Sequence, residues 1–72
     1  MTKAEKDIMR HFRQYRIGRN EMLFFNTNLA NSDSPKFQFA MASLIRSGLV
    51  IKERRRNAYS LTFDGFMASL SA

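Results

Sequence analysis

Apolar positions along this 72-residue chain fall at helical spacings through residue 47, at short strand spacings from 49 to 61, and at helical spacings again from 63 to 70. Ala4, Ile8, Phe12 and Tyr15 stand four, four and three residues apart, the buried stripe of a helix running from about Lys3 to Arg16. Thr2 is its N-cap, with Glu5 three residues later as the capping-box partner, and Gly18 is expected to end it. The opposite side carries Lys3, Lys6, Arg10, Arg13 and Arg16, a nearly continuous basic stripe. Met22, Phe25 and Leu29 predict a second helix from Asn20 to about Leu29, its apolar face widened by Leu23 and Phe24. Asn26-Thr27-Asn28 weakens its end, and Ala30-Asn31-Ser32-Asp33 has the composition of a turn.

The third helix, residues 34–47, has the clearest start. Ser34 serves as N-cap and Pro35 occupies the first helical position, where its missing N–H is harmless. Phe37, Met41, Leu44 and Ile45, with Ala40 beside them, form its core stripe, while Lys36, Phe39, Ser43 and Arg46 lie on the other side. Gly48 supplies the positive φ that closes it. Leu49–Lys52 and Ala58–Leu61 read as short strands around a tip at Glu53–Asn57. Thr62 then caps a last helix holding Phe63, Phe66, Met67 and Leu70. The expected fold class is mainly α with a small β-hairpin, one domain over residues 1–72.

Composition narrows the possible functions. A chain this short buries only about 60% of the surface its unfolded form exposes, so its core is small. There is no cysteine, hence no disulfide framework and no thiolate metal site. No apolar run approaches the roughly 20 residues of a membrane span, and the N-terminus lacks the apolar region of a signal peptide. A soluble, cytoplasmic protein with no membrane partner is expected. Twelve Lys and Arg against six Asp and Glu give a net charge of +6 and a pI near 10.6. Such a surplus attracts polyanions, nucleic acid foremost.

The run Leu44-x-x-x-Gly48-Leu49-Val50 followed by Tyr59-x-Leu61-Thr62-x-x-Gly65 resembles one shared by many bacterial repressors of the winged helix-turn-helix superfamily. The resemblance covers residues 34–70 well, whereas residues 1–33 match only in helix pattern. It implies a three-helix core, a two-stranded wing and a short C-terminal helix. The third helix would enter the major groove and the wing, residues 52–57, would touch the backbone or minor groove. By position, the groove-facing residues would be Ser34, Lys36, Gln38, Phe39 and Ser43, with Arg54, Arg55 and Arg56 on the wing. Arg46 and Lys52 complete the expected DNA-binding set. Phe39 departs from the family pattern, which often places a polar reader there, and the turn before the third helix is longer than usual.

Each residue also has a plainer reading. The arginine tip, +3 once Glu53 is set against Lys52 and Arg54–Arg56, suits phosphate contact, which is favoured over a solvated turn that blocks edge association because the tip follows a recognition-helix pattern. Gln38 could bond adenine and Lys36 guanine or phosphate, or both could be ordinary exposed residues. Phe39 is a base-contacting wedge, part of a protein interface, or packed under the second helix, with packing or protein contact favoured over DNA. The basic stripe of the first helix suits a solvated face with some phosphate contact rather than a membrane, since its apolar side is committed to the core. His11, the only histidine, has too few partners for a metal site or a catalytic triad, and the three glycines form no phosphate loop. Seven phenylalanines exceed what the core requires, so Phe24, Phe39 and Phe66 could form a homodimer or protein-partner surface.

Sequence-specific duplex DNA binding is therefore expected. The protein would be a small transcription regulator or a recombination or mobile-element accessory factor, associated with the nucleoid when bound. No catalysis, cofactor or small-molecule ligand is inferred. The alternatives are a winged-helix protein–protein interaction module and structured-RNA binding.

Overall fold

The computed structural model describes residues 1–25 and 35–72. Among these, three helices and a three-stranded antiparallel sheet alternate as α1 (Lys3–Gln14), β1 (Met22–Phe24), α2 (Pro35–Arg46), β2 (Val50–Lys52), β3 (Ala58–Leu61) and α3 (Phe63–Leu70). The architecture is mixed α/β, with more sheet than a lone hairpin. The expected N-cap Ser34 and the expected turn at Ala30–Asp33 lie outside the described residues.

α1 starts as its sequence dictates. Thr2 N–H donates to Glu5 Oε1 at 2.7 Å and Glu5 N–H to Thr2 Oγ1 at 3.2 Å, closing the capping box. Ile8 and Phe12 are buried as expected, and Met9 joins them. The end differs from expectation: Tyr15 is the C-cap and Arg16, at φ 55°, takes the left-handed position, two residues before Gly18. Ile17 N–H bonds Phe12 C=O and Arg16 N–H bonds Arg13 C=O, both at 3.0 Å, which together make a Schellman closure. Tyr15 therefore leaves the buried stripe and is 56% exposed. α2 ends in the same motif, with Leu49 N–H on Leu44 C=O and Gly48 N–H on Ile45 C=O, and there the left-handed residue is Gly48 at φ 78°. An arginine in that conformation costs about 1–2 kcal/mol that a glycine does not.

The helix expected from Asn20 is overturned at its start. Asn20 is left-handed at φ 65° and gives its N–H to Leu61 C=O at 2.8 Å, so it caps nothing. Met22–Phe24 instead pairs with β3, Met22 opposite Ser60 and Phe24 opposite Ala58. A short apolar run such as Met22-Leu23-Phe24-Phe25 is compatible with helix or strand, and here the free edge of β3 decides. The expected continuation to Leu29 lies outside the described residues.

β2 pairs with the other edge of β3, Val50 opposite Leu61 and Lys52 opposite Tyr59, giving the order β1-β3-β2. The two strands expected as a hairpin are thus part of a three-stranded sheet. β3 is central, and all four of its residues are buried. Leu49 stays out of β2 because its N–H closes α2 on Leu44 C=O at 3.0 Å, while its carbonyl accepts from Thr62 N–H and Thr62 Oγ1, both at 3.2 Å. Thr62 also accepts from Gly65 N–H at 2.9 Å and so caps α3.

The core gathers Ile8, Met9, Phe12, Ala40, Met41, Leu44, Val50 and Leu61 around Phe25 and Tyr59. Ile45, expected in the core stripe of α2, is partly exposed. α3 presents its small residues inward: Gly65 and Ser69 are buried, whereas Phe63, Met67 and Leu70 are exposed. Phe66 is half-buried against the core, so of the phenylalanines expected on the surface only Phe24 and Phe39 are exposed. No helix among the described residues is long and apolar enough to cross a membrane.

Candidate nucleic-acid interface

Phe25 organises the end of the molecule that carries the expected site. Its ring lies 5.9 Å from Phe37 in the first turn of α2 and 5.7 Å from Tyr59 in β3, centroid to centroid. Its N–H bonds Asn57 C=O, at the base of the hairpin tip, at 2.7 Å. One buried aromatic therefore ties the start of α2 and the arginine tip to the same end of the fold. Phe12 and His11 close the cluster, each 5.1 Å from Phe25. Burial holds His11 below the ordinary histidine pKa, which keeps this ring neutral near pH 7.

The tip is built to leave its arginines outward. Asn57 is left-handed at φ 60°, Ala58 N–H bonds Arg55 C=O at 3.2 Å, and Glu53 N–H bonds Ala58 C=O at 2.9 Å. Lys52 turns back over it: its Nζ donates to Glu53 C=O at 2.6 Å and Arg55 C=O at 2.9 Å, and lies 5.2 Å from the Tyr59 ring centre. Lys52, expected as a phosphate contact, thus also buttresses the turn. Glu53, the one acid at the tip, accepts from Ser60 Oγ at 2.6 Å and forms no ion pair with the arginines. Arg54, Arg55 and Arg56 are exposed, and none has a carboxylate partner among the described residues.

On α2, Lys36, Gln38 and Phe39 are exposed, Phe39 to 78%. That exposure rules out packing of Phe39 under a neighbouring helix. Lys36 and Phe39 line an open cleft of about 450 Å³ shared with Thr2, Lys3 and Asp7 of the α1 end. Arg46 is exposed but ten residues, about 15 Å, further along the helix than Lys36, at the end away from the tip. Ser43 is half-buried and donates from Oγ to Glu5 Oε2 at 2.8 Å, so it faces α1. Ser34 lies outside the described residues. Lys36, Gln38 and Phe39 are thus exposed on α2 and Arg54, Arg55 and Arg56 on the tip, the two elements being joined through Phe25, while Ser43 faces α1, Arg46 lies at the far end of α2 and Lys52 belongs to the tip itself.

Glu5 was legible only as a cap, yet it also anchors α2. Its carboxyl is held below the usual range, first by Thr2 N–H, then by the Ser43 hydroxyl. A depressed folded-state pKa contributes stability above the ordinary glutamate range, lost as the pH falls through that range and below it. The urea midpoint of the wild type should therefore fall more between pH 6 and pH 3 than that of Glu5→Gln. Equal falls would remove Glu5 from the account. Ser43→Ala should cost about 1 kcal/mol, the typical net value of one hydrogen bond, and leave any DNA affinity unchanged apart from stability.

Among the described residues no group of three or more His, Asp or Glu is placed to hold a metal ion. Comparison of the chain with protein-family models, curated proteins and solved structures finds no significant match.

Proposed function

We propose that this protein binds duplex DNA as a winged helix-turn-helix domain, with the outward face of α2 in the major groove and the arginine tip on the adjacent backbone or minor groove. The observation that carries the reading is the placement of the first turn of α2 and the base of the tip on two sides of Phe25. The element order and the β1-β3-β2 sheet are compatible with that fold. Three exposed arginines without carboxylate partners among the described residues, on a chain of net charge +6, supply the electrostatic attraction. Lys36 would position the helix on phosphate or guanine, Gln38 would read a base edge, and Phe39 would meet a thymine methyl. A small transcription regulator or a recombination accessory factor needs no more than this surface.

The test is selection from a random duplex pool at two salt concentrations, followed by competition with duplex RNA and single strands. A defined duplex site should win, with log affinity falling against log salt at a slope of about −4 to −5 for roughly five phosphate contacts. Gln38→Ala should change the selected sequence more than the slope. Preference for duplex RNA would transfer the surface to RNA recognition.

A second reading rests on Phe39, whose 78% exposure beside the cleft at the α1 end also suits a protein partner. Binding that survives nuclease and high salt and is lost in Phe39→Ala would favour it.

A further inference from the structure

We infer that Arg13 and Arg16 form a second phosphate site, in the cleft between the end of α1 and α3, which accepts a phosphate group carried on a nucleoside. The cleft encloses about 490 Å³ and is lined by Arg13, Arg16, Ile17, Phe66 and Ser69. Two of these side chains are cationic, two are apolar and one is a hydroxyl, and no acidic side chain among the described residues lines the cleft. Its volume falls in the range of small-ligand sites, about 300–1,000 Å³.

The acids nearest the two arginines along the chain are engaged elsewhere. Asp7 pairs with Arg10 at 3.4 Å, and the Glu21 carboxylate accepts from Gly18 N–H. Arg13 and Arg16 have no carboxylate partner among the described residues. A guanidinium without a carboxylate, beside a second one, presents the fork geometry that phosphate oxygens accept. Phe66 and Ile17 offer the apolar surface on which a base or sugar would rest.

Arg16 adds an independent argument. It occupies the left-handed position of a helix closure for which the same fold, at the end of α2, uses Gly48. A side chain held in an unfavourable backbone conformation points to a role for that side chain. The plain alternative is that Arg13 and Arg16 merely offset the partial negative charge at the end of α1. The two explanations differ in what glycine at position 16 does.

The site is distinct from the proposed DNA face. Asn20 N–H and the backbone of Arg19 meet Leu61, the last residue of β3, whereas the tip joins β3 at Ala58. Three residue steps, roughly 10 Å of strand, separate those ends. The inference therefore goes beyond the duplex-binding reading and does not depend on it.

The test follows backbone amides of the ¹⁵N-labelled protein by NMR during titration with inorganic phosphate, adenosine monophosphate and a short oligothymidylate. Amides of residues 13–18 and 66–69 should shift and saturate, with the mononucleotide at least threefold tighter than inorganic phosphate because the nucleoside contributes. Saturation by the oligothymidylate at still lower concentration would identify a polynucleotide backbone as the source of the phosphate, and equal saturation a free nucleotide. Arg13→Gln and Arg16→Gly should each weaken binding at least tenfold, while the combined alanine variant of Arg54, Arg55 and Arg56 should bind at this cleft as the wild type does. Arg16→Gly should melt at or above the wild-type temperature, which separates lost binding from lost folding. No shift at these amides with any of the three probes, inorganic phosphate saturating as tightly as the nucleotide, or unaltered binding in both arginine variants, would overturn the inference. Failure of duplex selection would leave this result untouched.

Discussion

Changing Arg54, Arg55 and Arg56 together to alanine should lower duplex affinity roughly 100-fold at about 0.15 M salt and flatten the salt slope from about −4.5 to about −1.8, if five phosphates are contacted in the wild type. Each phosphate contact releases about 0.9 of a counterion, so removing three changes the slope by about 2.7. The side chains are exposed and the turn is held by backbone bonds, Lys52 and Asn57, so the variant should keep its fold. Fluorescence anisotropy at four or more salt concentrations measures the slope, and circular dichroism checks the fold. A folded variant with the wild-type slope would take the tip out of the interface. The reading would then rest on α2 alone, with too few cations to hold a duplex firmly.

Gly65→Ala should be the most damaging small substitution in the chain. A β-carbon at residue 65 would overlap the Leu49 carbonyl oxygen and press on Leu61 Cδ2, 3.1 Å away. The obstacle is backbone, and that oxygen already accepts from Thr62 N–H, so it cannot simply swing aside. Overpacking of this kind costs about 3 kcal/mol or more, a large part of the roughly 4–10 kcal/mol expected for a domain of this size. The melting temperature should drop by roughly 12–24 °C. A drop of only a few degrees would mean that α3 does not approach Leu49 this closely. Gly48→Ala provides the contrast: nothing stands near its β-carbon, so only its positive φ opposes the change and the loss should be about 1 kcal/mol.

The two ends of the proposed interface were unequally legible. The arginine tip could be read directly, because a charged run between two β-prone segments has few other places to go. The face of α2 was only half legible. Helical spacing grouped Lys36, Phe39, Ser43 and Arg46 together, but spacing does not show which neighbour a face meets. Ser43 lies at the margin that α1 covers, and Glu5 captures its hydroxyl. A second role of Lys52 was hidden for a similar reason: its long chain reaches two carbonyls of its own turn, a local contact invisible in a charge count. The cleft at Arg13 and Arg16 gave no sequence signal beyond a basic stripe, since its other wall comes from α3, about fifty residues later.

Local chemistry alone determined the parts of this protein whose causes lie within a few residues. The capping box of Thr2 and Glu5, the start of α2 at Pro35, the left-handed Gly48, the two strands around the tip and the Thr62 cap all follow from short-range hydrogen bonding and backbone preference. Tertiary structure decided the rest. Met22–Phe24 became a strand because β3 had an edge to fill, Arg16 closed α1 ahead of Gly18, and α3 turned its small residues inward to approach Leu49. In each case the deciding partner is distant in sequence or the outcome runs against local preference, and only packing can weigh such contacts.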